Sequence, residues 1–318
     1  MTAQVTPVPV PPPLESANDD DRLTPSKADR RRKAANRGRR RSNLLTVVMW
    51  LSALYFFVPL LWLFMSSTKN NSDLFTTFGL WFGNGFNLFS NIRDVFTYQD
   101  GIYARWALNT GIYAGVAAVG ATVLATMAGY AFAKYKFPGD KLLFAITLGA
   151  IMIPLTALAI PTYLLFSSAH LTNTPWAVIL PSLVTPFGVF LMRVYAADAV
   201  PDSLMEAGRM DGAGEYRIFW TVSVRLLAPG MVTVLLFTLV ATWNNYFLPL
   251  IMLNSGKLLP LTVGLAQLQA TSAAGGGAQA LFSTVITGAF VSIIPLVIAF
   301  LYLQRFWQTG LATGGVKG

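Results

Sequence analysis

The chain has 318 residues, of which 54% are hydrophobic and only 12% are charged. Soluble domains carry about 25% charged residues, so this composition excludes an ordinary soluble domain and indicates a membrane protein. The sequence holds no cysteine and one histidine, His170, which excludes disulfide bonds, thiolate ligands and multi-histidine metal sites. We predict neither a catalytic residue nor a metal site, and we do not expect an enzyme.

Residues 1–42 form a polar segment that becomes strongly basic before the first apolar stretch. Much of the net charge of +9 lies between Arg22 and Arg41. Because this segment offers few apolar residues to bury, we predict a disordered basic cytoplasmic tail over 1–42. Such a tail favours anionic membrane lipid by about 1 kcal/mol per Lys or Arg. We expect no nucleic-acid partner, because no aromatic residues are interleaved with the basic ones.

Six apolar stretches follow, and each is long enough to cross a hydrocarbon core of about 30 Å as a helix. They lie at about 44–66, 106–132, 142–166, 176–194, 226–253 and 281–303. They predict an all-α integral membrane protein with six transmembrane helices. We place the transmembrane domain at 43–304 and a cytoplasmic C-terminal tail at 305–318. Pro154 and Pro161 predict a kink in the third helix.

The positions of the basic residues predict the orientation of the chain. If the N-terminus is cytoplasmic, all but Lys69, Arg93, Arg105 and Lys257 of the 23 lysines and arginines lie on the inner side. This strong bias predicts that both termini are cytoplasmic, since inner loops carry the excess of positive charge. It also places the polar segment Pro201–Arg225 in the cytoplasm.

Pro201–Arg225 has the pattern of a helix, a glycine turn and a second helix. Ser203 and Glu206 have the spacing of a capping box, which predicts a helix start. Gly212 is predicted to end this helix, and a second helix is expected to start near Ala213. Gly208 inside the helix costs about 1 kcal/mol relative to alanine, so we predict that another surface approaches it closely.

The residues of this segment also match a family signature. The pattern is Glu206-Ala207-Gly208, three residues, Gly212, nine residues and Val222-Ser223-Val224-Arg225. It resembles the Glu-Ala-Ala, Gly and Ile-x-Leu-Pro signature of the membrane subunits of ABC-type, binding-protein-dependent sugar importers, particularly the maltose-type permeases. Further matches are Tyr130–Gly139, Ile153-Pro154, Ile160-Pro161, Trp243–Tyr246 and the end of the chain, Gln304–Gly318. Arg225 stands where the family has proline.

The resemblance implies a type I ABC importer permease in the bacterial cell membrane. The cytoplasmic loop 195–225 would then carry the coupling helix that sits on an ATPase subunit. The residues expected to couple are Glu206, Ala207, Gly208, Arg209, Asp211 and Gly212. The resemblance implies no cofactor in this chain, with ATP and Mg bound by the partner ATPase subunits. The implied partners are a second homologous permease subunit, two cytoplasmic ATPase subunits, an extracytoplasmic solute-binding protein and a carbohydrate substrate.

Polar and aromatic groups within the apolar stretches are candidates for a substrate pathway. A sugar needs hydrogen-bond partners and an aromatic face, and the candidates are Trp243, Asn244, Asn245, Tyr246 and Thr156. Asn109 and Thr110 are further polar residues near a predicted helix. The alternative is that these groups make hydrogen bonds between helices, worth about 0.6–2 kcal/mol each.

The predicted outer loop at about 68–105 is rich in aromatic residues. They are Phe75, Phe78, Trp81, Phe82, Phe86 and Phe89. One interpretation is an aromatic belt at the level of the lipid headgroups. The other is a lip that contacts an external protein partner.

Two other transport functions stay open. A stand-alone secondary transporter would require an internal repeat or an acidic residue within the membrane, and we find neither. An importer permease for glycerol phosphate or another non-sugar solute would share the motifs described above. No Gly-rich phosphate loop of the Walker type occurs in the sequence, so the energy is expected to come from another subunit.

Overall fold

The fold was obtained as a computed structural model, which describes residues 43–273 and 281–314, and the side chains of 45–273 and 281–306. The predicted tail 1–42, the loop residues 274–280 and residues 315–318 lie outside the described residues. The described residues form helices and no strand. In chain order these are α1 (Asn43–Ser67), α2 (Asn71–Thr76), α3 (Leu88–Thr97), a 3₁₀ turn (Tyr98–Gly101), α4 (Ile102–Lys134), α5 (Asp140–Ile151), α6 (Ala159–Ser168), α7 (Trp176–Ser182), α8 (Pro186–Ala199), α9 (Asp202–Met210), α10 (Glu215–Ile218), a π-helical segment (Phe219–Ser223), α11 (Val224–Trp243), α12 (Phe247–Met252), α13 (Leu261–Ala273) and α14 (Phe282–Gly314).

The chain divides at Pro59 into two compact units. In the first unit, the described residues are the N-terminal part of α1, whose apolar side chains, such as Trp50 and Phe56, are exposed. The second unit contains all later elements. The last helix, α14, continues to Gly314, past residue 304 where we expected the transmembrane domain to end.

Five helical segments in the described part of the chain are long and apolar enough to cross a membrane. They are Leu45–Ser67, Leu88–Lys134, Trp176–Ala199, Glu215–Trp243 and Phe282–Phe306. Each contains or overlaps one of the predicted stretches, so five of the six correspond to a candidate membrane span. The architecture is therefore an all-helical membrane fold, as predicted.

The third predicted stretch is not one kinked helix, and that expectation is wrong. It consists of α5 and α6, separated by turns over residues 152–158. Pro154 has no N–H to continue a helix, and Pro161 falls in the first turn of α6, where proline is tolerated. The backbone instead closes local turns, in which the Ala157 N–H donates to the Pro154 carbonyl at 3.0 Å.

Helix α4 is the central element of the second unit. It packs against α8 and α11, and its buried face carries many small residues, including Ala117, Ala121 and Ala125. A Cβ added at Gly129 would lie 2.6 Å from the Met192 Cβ, so α8 crosses α4 at a point where only glycine fits. Small residues at such crossings let helix backbones approach closely, which is how helices associate in a membrane.

One face of α4 holds the segment Gly256–Leu261 by hydrogen bonds. Trp106 donates to the Gly256 carbonyl at 2.8 Å, and Asn109 donates to the carbonyls of Lys257 and Leu259. Thr110 accepts from the Leu261 N–H at 2.8 Å. These groups therefore bond within the protein and fix the segment that leads into α13.

Candidate functional site: the helices α9 and α10 and two helix breaks

The polar segment folds as α9, a glycine turn and α10. Gly212 has a φ of +77°, a left-handed conformation that favours glycine. The Ala213 N–H donates to the Gly208 carbonyl and the Gly212 N–H to the Arg209 carbonyl, both at 3.0 Å. This pair of bonds is the Schellman motif that ends many helices. The prediction that Gly212 ends the helix is confirmed, whereas the next helix begins at Glu215 rather than near Ala213.

The predicted capping box does not form. Helix α9 begins at Asp202, its N-cap is Pro201, and no side chain bonds to the first turn. Ser203 therefore already lies inside the helix, where its hydroxyl cannot act as the N-cap. The first turn instead carries Asp202, whose carboxylate accepts from Lys134 at 2.9 Å. Glu206 is exposed and makes no hydrogen bond or ion pair with the part of the chain that the structure describes.

Gly208 is approached by this chain itself. A Cβ added at Gly208 would lie 3.0 Å from Cγ1 and 3.2 Å from Cδ1 of Ile218, which is buried. The glycine therefore lets α9 lie against the end of α10. The prediction of a close approach is confirmed, but the surface that approaches belongs to α10, and the gap is already filled.

An ion pair ties the two ends of the turn together. The Arg209 guanidinium donates to both carboxylate oxygens of Glu215, at 2.6 and 3.2 Å, and Tyr135 donates to Glu215 at 2.6 Å. The bond from Arg209 holds the pKa of Glu215 below its usual value, with Tyr135 adding to the effect. Burial raises the pKa of Tyr135, and so does its bond to Glu215. Arg209 is thus already paired within the chain.

Buried contacts connect α9 to two of the long helices. Tyr130 of α4 donates to the Met205 sulfur at 3.6 Å and accepts from Ser223 at 3.1 Å. The Tyr130 ring also packs against Phe219, with 5.0 Å between ring centroids. Ser223 and Phe219 belong to the π-helical segment that leads into α11. Tyr130 of α4 therefore contacts both α9 and the segment that leads into α11.

This connection was not predicted from the sequence. Tyr130, Lys134 and Tyr135 lie in a matched motif, but that motif gave them no role. The partners of these residues lie at least 68 positions away in the sequence, so helical spacing cannot reveal the pairs. The one available signal was the opposite charge of Lys134 and Asp202.

We call α9 and α10 together, residues 202–218, the coupling element. The outward face of the coupling element is exposed. Met210 is 88% exposed and Tyr216 is 75% exposed, and Glu206, Ala207 and Asp211 are exposed beside them. Large apolar side chains at this exposure, next to unpaired carboxylates, are typical of a surface that binds another protein. The face combines an apolar centre with free negative charge.

A second helix break lies between α11 and α12. Residues Asn244–Tyr246 are not helical, and Tyr246 and Asn244 are exposed, whereas Trp243 is partly buried in the core. Asn244 bonds to the Val240 carbonyl of its own helix, and the Asn245 carbonyl accepts from Thr262. Thr156 lies in the first break and is exposed. The helices that follow the two breaks, α6 and α12, pack against each other.

Comparisons with known proteins agree with this architecture. The family model described as binding-protein-dependent transport system inner membrane component matches residues 121–308. The chain is 34% identical over 276 residues to the arabinooligosaccharides transport system permease protein AraQ of Halalkalibacterium halodurans, which covers 86% of this chain and 96% of that protein. It is 28% identical over 273 residues to the lactose transport system permease protein LacG of Rhizobium radiobacter, with 85% and 94% covered.

The fold is also similar to a solved structure. One chain of a bacterial ABC transporter involved in the import of the acidic polysaccharide alginate matches with a TM-score of 0.71 and 21% identity. The match covers 89% of this chain and 99% of that chain. At this identity the likeness supports the fold alone.

Proposed function

Because this chain belongs to the binding-protein-dependent transport system inner membrane component family, we propose that it forms half of the translocation pathway of an ABC importer for a carbohydrate. The relatives named above support the solute class, since their names specify arabinooligosaccharides and lactose. The other half would be a second, homologous permease subunit. ATP hydrolysis on two cytoplasmic ATPase subunits would drive transport, and an extracytoplasmic binding protein would deliver the sugar.

The observation that carries the proposal is the exposed face of α9 on an element that is firmly attached to two long helices. Glu206 and Met210 present a free carboxylate and an apolar side chain to the solvent. Met205, on the opposite side of the same helix, is 3% exposed and contacts Tyr130. One face is thus free for an ATPase subunit, while the other is fixed to the transmembrane helices.

This geometry supports a mechanical role for α9. When the ATPase subunits close on ATP, α9 would move with the subunit that holds it. Its contacts with Tyr130 and Ser223 would carry that movement into α4 and α11, which is rigid-body motion of the alternating-access kind. The energy for transport would enter the chain at α9. No charged residue within the membrane is then needed to carry protons or ions.

We assign the two helix breaks to the pathway itself. Non-helical backbone at membrane depth is tolerated only where protein covers it or where it lines a cavity. The first break exposes Thr156, and the second exposes Asn244 and Tyr246. A hydroxyl, an amide and an aromatic ring are the groups that bind sugars. The family is an inner membrane component, and the distribution of basic residues supports cytoplasmic termini.

Substitution of Glu206 tests the coupling proposal. We expect Glu206→Lys to abolish both ATP-dependent sugar uptake and copurification of the ATPase subunits with the tagged full-length chain. The reason is that a positive charge replaces a free carboxylate on the docking face, while no contact within the described chain is lost. Asp198→Lys is the matched control, because Asp198 is an exposed carboxylate on α8, outside α9.

The control variant should keep uptake and copurification at the level of the unchanged chain. If Glu206→Lys leaves both intact, α9 is not the site of ATPase docking. If uptake persists in vesicles that contain this chain without nucleotide or companion proteins, the chain is a stand-alone transporter and the proposal fails.

A further inference from the structure

The aromatic residues between α1 and α4 form a second exposed surface, at the end of α4 opposite the coupling element. We call it the outer aromatic surface. Its members are Phe75, Phe78, Trp81, Phe82, Phe86 and Phe89, which are between 38% and 76% exposed. Four of the rings form a continuous series, Trp81–Phe82–Phe86–Phe89, with successive centroids 5.9, 6.1 and 6.3 Å apart. These four rings form one patch, while the Phe75 ring packs against Phe282, with 5.4 Å between ring centroids.

The charged side chains within the loop point inward, whereas Arg93 and Asp94, which follow on α3, are exposed. Asp73 is the only charged residue between 70 and 92, and it is 3% exposed. Its carboxylate accepts from both the backbone N–H and the side-chain amide of Asn84, at 3.0 and 2.8 Å. Lys69, immediately before this range, is 1% exposed and donates to the Phe78 carbonyl at 2.7 Å. The chain buries these two charges while it exposes six aromatic rings.

The buried Lys69 bond also holds the loop against the last turns of α1. The Lys69 bond fixes Phe78, and a Cβ added at the next residue, Gly79, would lie only 3.3 Å from Nε1 of Trp62. Trp62 lies five residues before the end of α1 at Ser67, or about 7.5 Å along the helix axis. The loop therefore descends beside the apolar part of a membrane-spanning helix.

We infer that the outer aromatic surface binds the membrane itself, with its rings inserted at the headgroup level of the leaflet on the side opposite the coupling element. Its depth beside Trp62 places it at the boundary of the hydrocarbon core. Aromatic rings are enriched at that level, and segments that lie in the interface bury an apolar face there. A soluble protein partner would instead favour exposed polar and charged groups around the rings, and no charged side chain is exposed between residues 70 and 92.

Insertion also gives the loop a mechanical function. Residues 68–87 join the end of α1 to the start of α3, and Asn91 of α3 donates to the carbonyls of Ser67 and Lys69. A segment anchored in the headgroups holds this end of the protein at a fixed depth while the helices behind it move. The inference depends on the chain being a membrane protein and not on its coupling to an ATPase.

The absence of cysteine makes a direct test available, because single cysteines can be introduced and labelled. Phe78→Cys and Phe89→Cys probe the surface, and Asp94→Cys is the matched control, an exposed position on the same helix as Phe89. The full-length chain would carry a bimane label in vesicles of phosphatidylethanolamine and phosphatidylglycerol. Quenching would be measured with lipids that carry a nitroxide near the headgroup, and with iodide in the water.

At positions 78 and 89, we expect lipid nitroxides to quench roughly threefold more strongly than at position 94, and iodide to quench correspondingly less. Equal iodide quenching at all three positions would overturn the inference. So would protection at 78 and 89 that appears only after an extracytoplasmic solute-binding protein is added, since the surface would then be a protein docking site. Phe89→Cys gives up only the ring contact with the exposed Phe86, so folding is not expected to change.

Discussion

At the scale of single residues, the contact between Gly208 and Ile218 decides how α9 is held. Ile218 is 1% exposed, and its side chain lies against the glycine with no room for a methyl group unless one side shifts. Two opposing effects act on an alanine at this position. Alanine favours a helix over glycine by about 1 kcal/mol, whereas overpacking a buried contact costs about 1–3 kcal/mol.

These magnitudes predict a strong coupling between the two positions. Gly208→Ala in the unchanged chain should be neutral or destabilising, because the gain in helix propensity is offset by the clash. In an Ile218→Ala background the clash is absent, so the same change should stabilise the chain by about 1 kcal/mol. The coupling is measured by thermal unfolding of all four chains in a double-mutant cycle. An identical effect of Gly208→Ala in both backgrounds would contradict the packing of α9 on Ile218.

The ion pair between Arg209 and Glu215 predicts a dependence on pH. Because the pKa of Glu215 is lowered in the folded chain, its contribution to stability is complete above the ordinary value of 4.5. The contribution is lost as the pH falls through the lowered pKa and the carboxylate is protonated. Tyr135 stays protonated at neutral pH, because its pKa is raised, and it remains a donor to Glu215.

Hydrogen exchange over residues 202–216, corrected for the intrinsic effect of pH, measures this contribution. We expect protection to fall as the pH drops from neutral through the lowered pKa of Glu215. Glu215→Gln should exchange faster at neutral pH and show a much weaker response to acid. Glu206→Gln is the control and should behave like the unchanged chain, since Glu206 has no partner among the described residues. Equal protection in Glu215→Gln at neutral pH would show that the ion pair does not hold the turn.

At the scale of elements, the sequence predicted helices better than it predicted their interruptions. Long apolar stretches must be helical in a membrane, because every backbone group needs an internal partner, and this requirement located five long helical segments. The breaks at residues 152–158 and 244–246 depend on what covers the freed backbone, which composition does not encode. Proline at position 154 indicated a distortion but not its size.

In the coupling element, too, the sequence predicted some features and missed others. The role of Gly212 as the end of the helix could be predicted from the sequence. The residue after a helix often adopts a left-handed conformation, which favours glycine. The capping box was wrong, because a chain that enters α9 through Pro201 begins the helix at Asp202. The attachment of α9 to Tyr130 and Ser223 depends on tertiary packing between distant segments, and single-sequence patterns contain little information about it.

At the scale of the whole molecule, buried residues of the second unit gather in two clusters. One surrounds Trp106, Tyr113 and Leu261, and the other surrounds Met192, Met205 and Phe219. Helix α4 contributes to both clusters, so it connects the coupling element with the opposite end of the protein. Both breaks lie outside this buried core and expose backbone and polar side chains.

The exposed breaks lead to a prediction for the assembled transporter. In the first break, the N–H groups of Leu155 and Thr156 donate to no acceptor among the described residues, and the Leu155 side chain is 85% exposed. Unsatisfied backbone groups cost several kcal/mol each in hydrocarbon, so this break has to face water or a partner chain. If it lines the pathway together with Asn244, single cysteines at positions 156 and 244 should react with a small water-soluble thiol reagent.

Val119→Cys is the matched control, because Val119 is an apolar residue, 57% exposed, within the unbroken helix α4. We expect positions 156 and 244 to react at least roughly tenfold faster than position 119 in the complete transporter, because a thiol in hydrocarbon is neither hydrated nor ionised. ATP should change the rates at 156 and 244 if the path opens and closes, and leave the rate at 119 unchanged. If all three positions react equally slowly, with and without ATP, neither break lines the pathway. Both breaks would then be covered by the partner subunit.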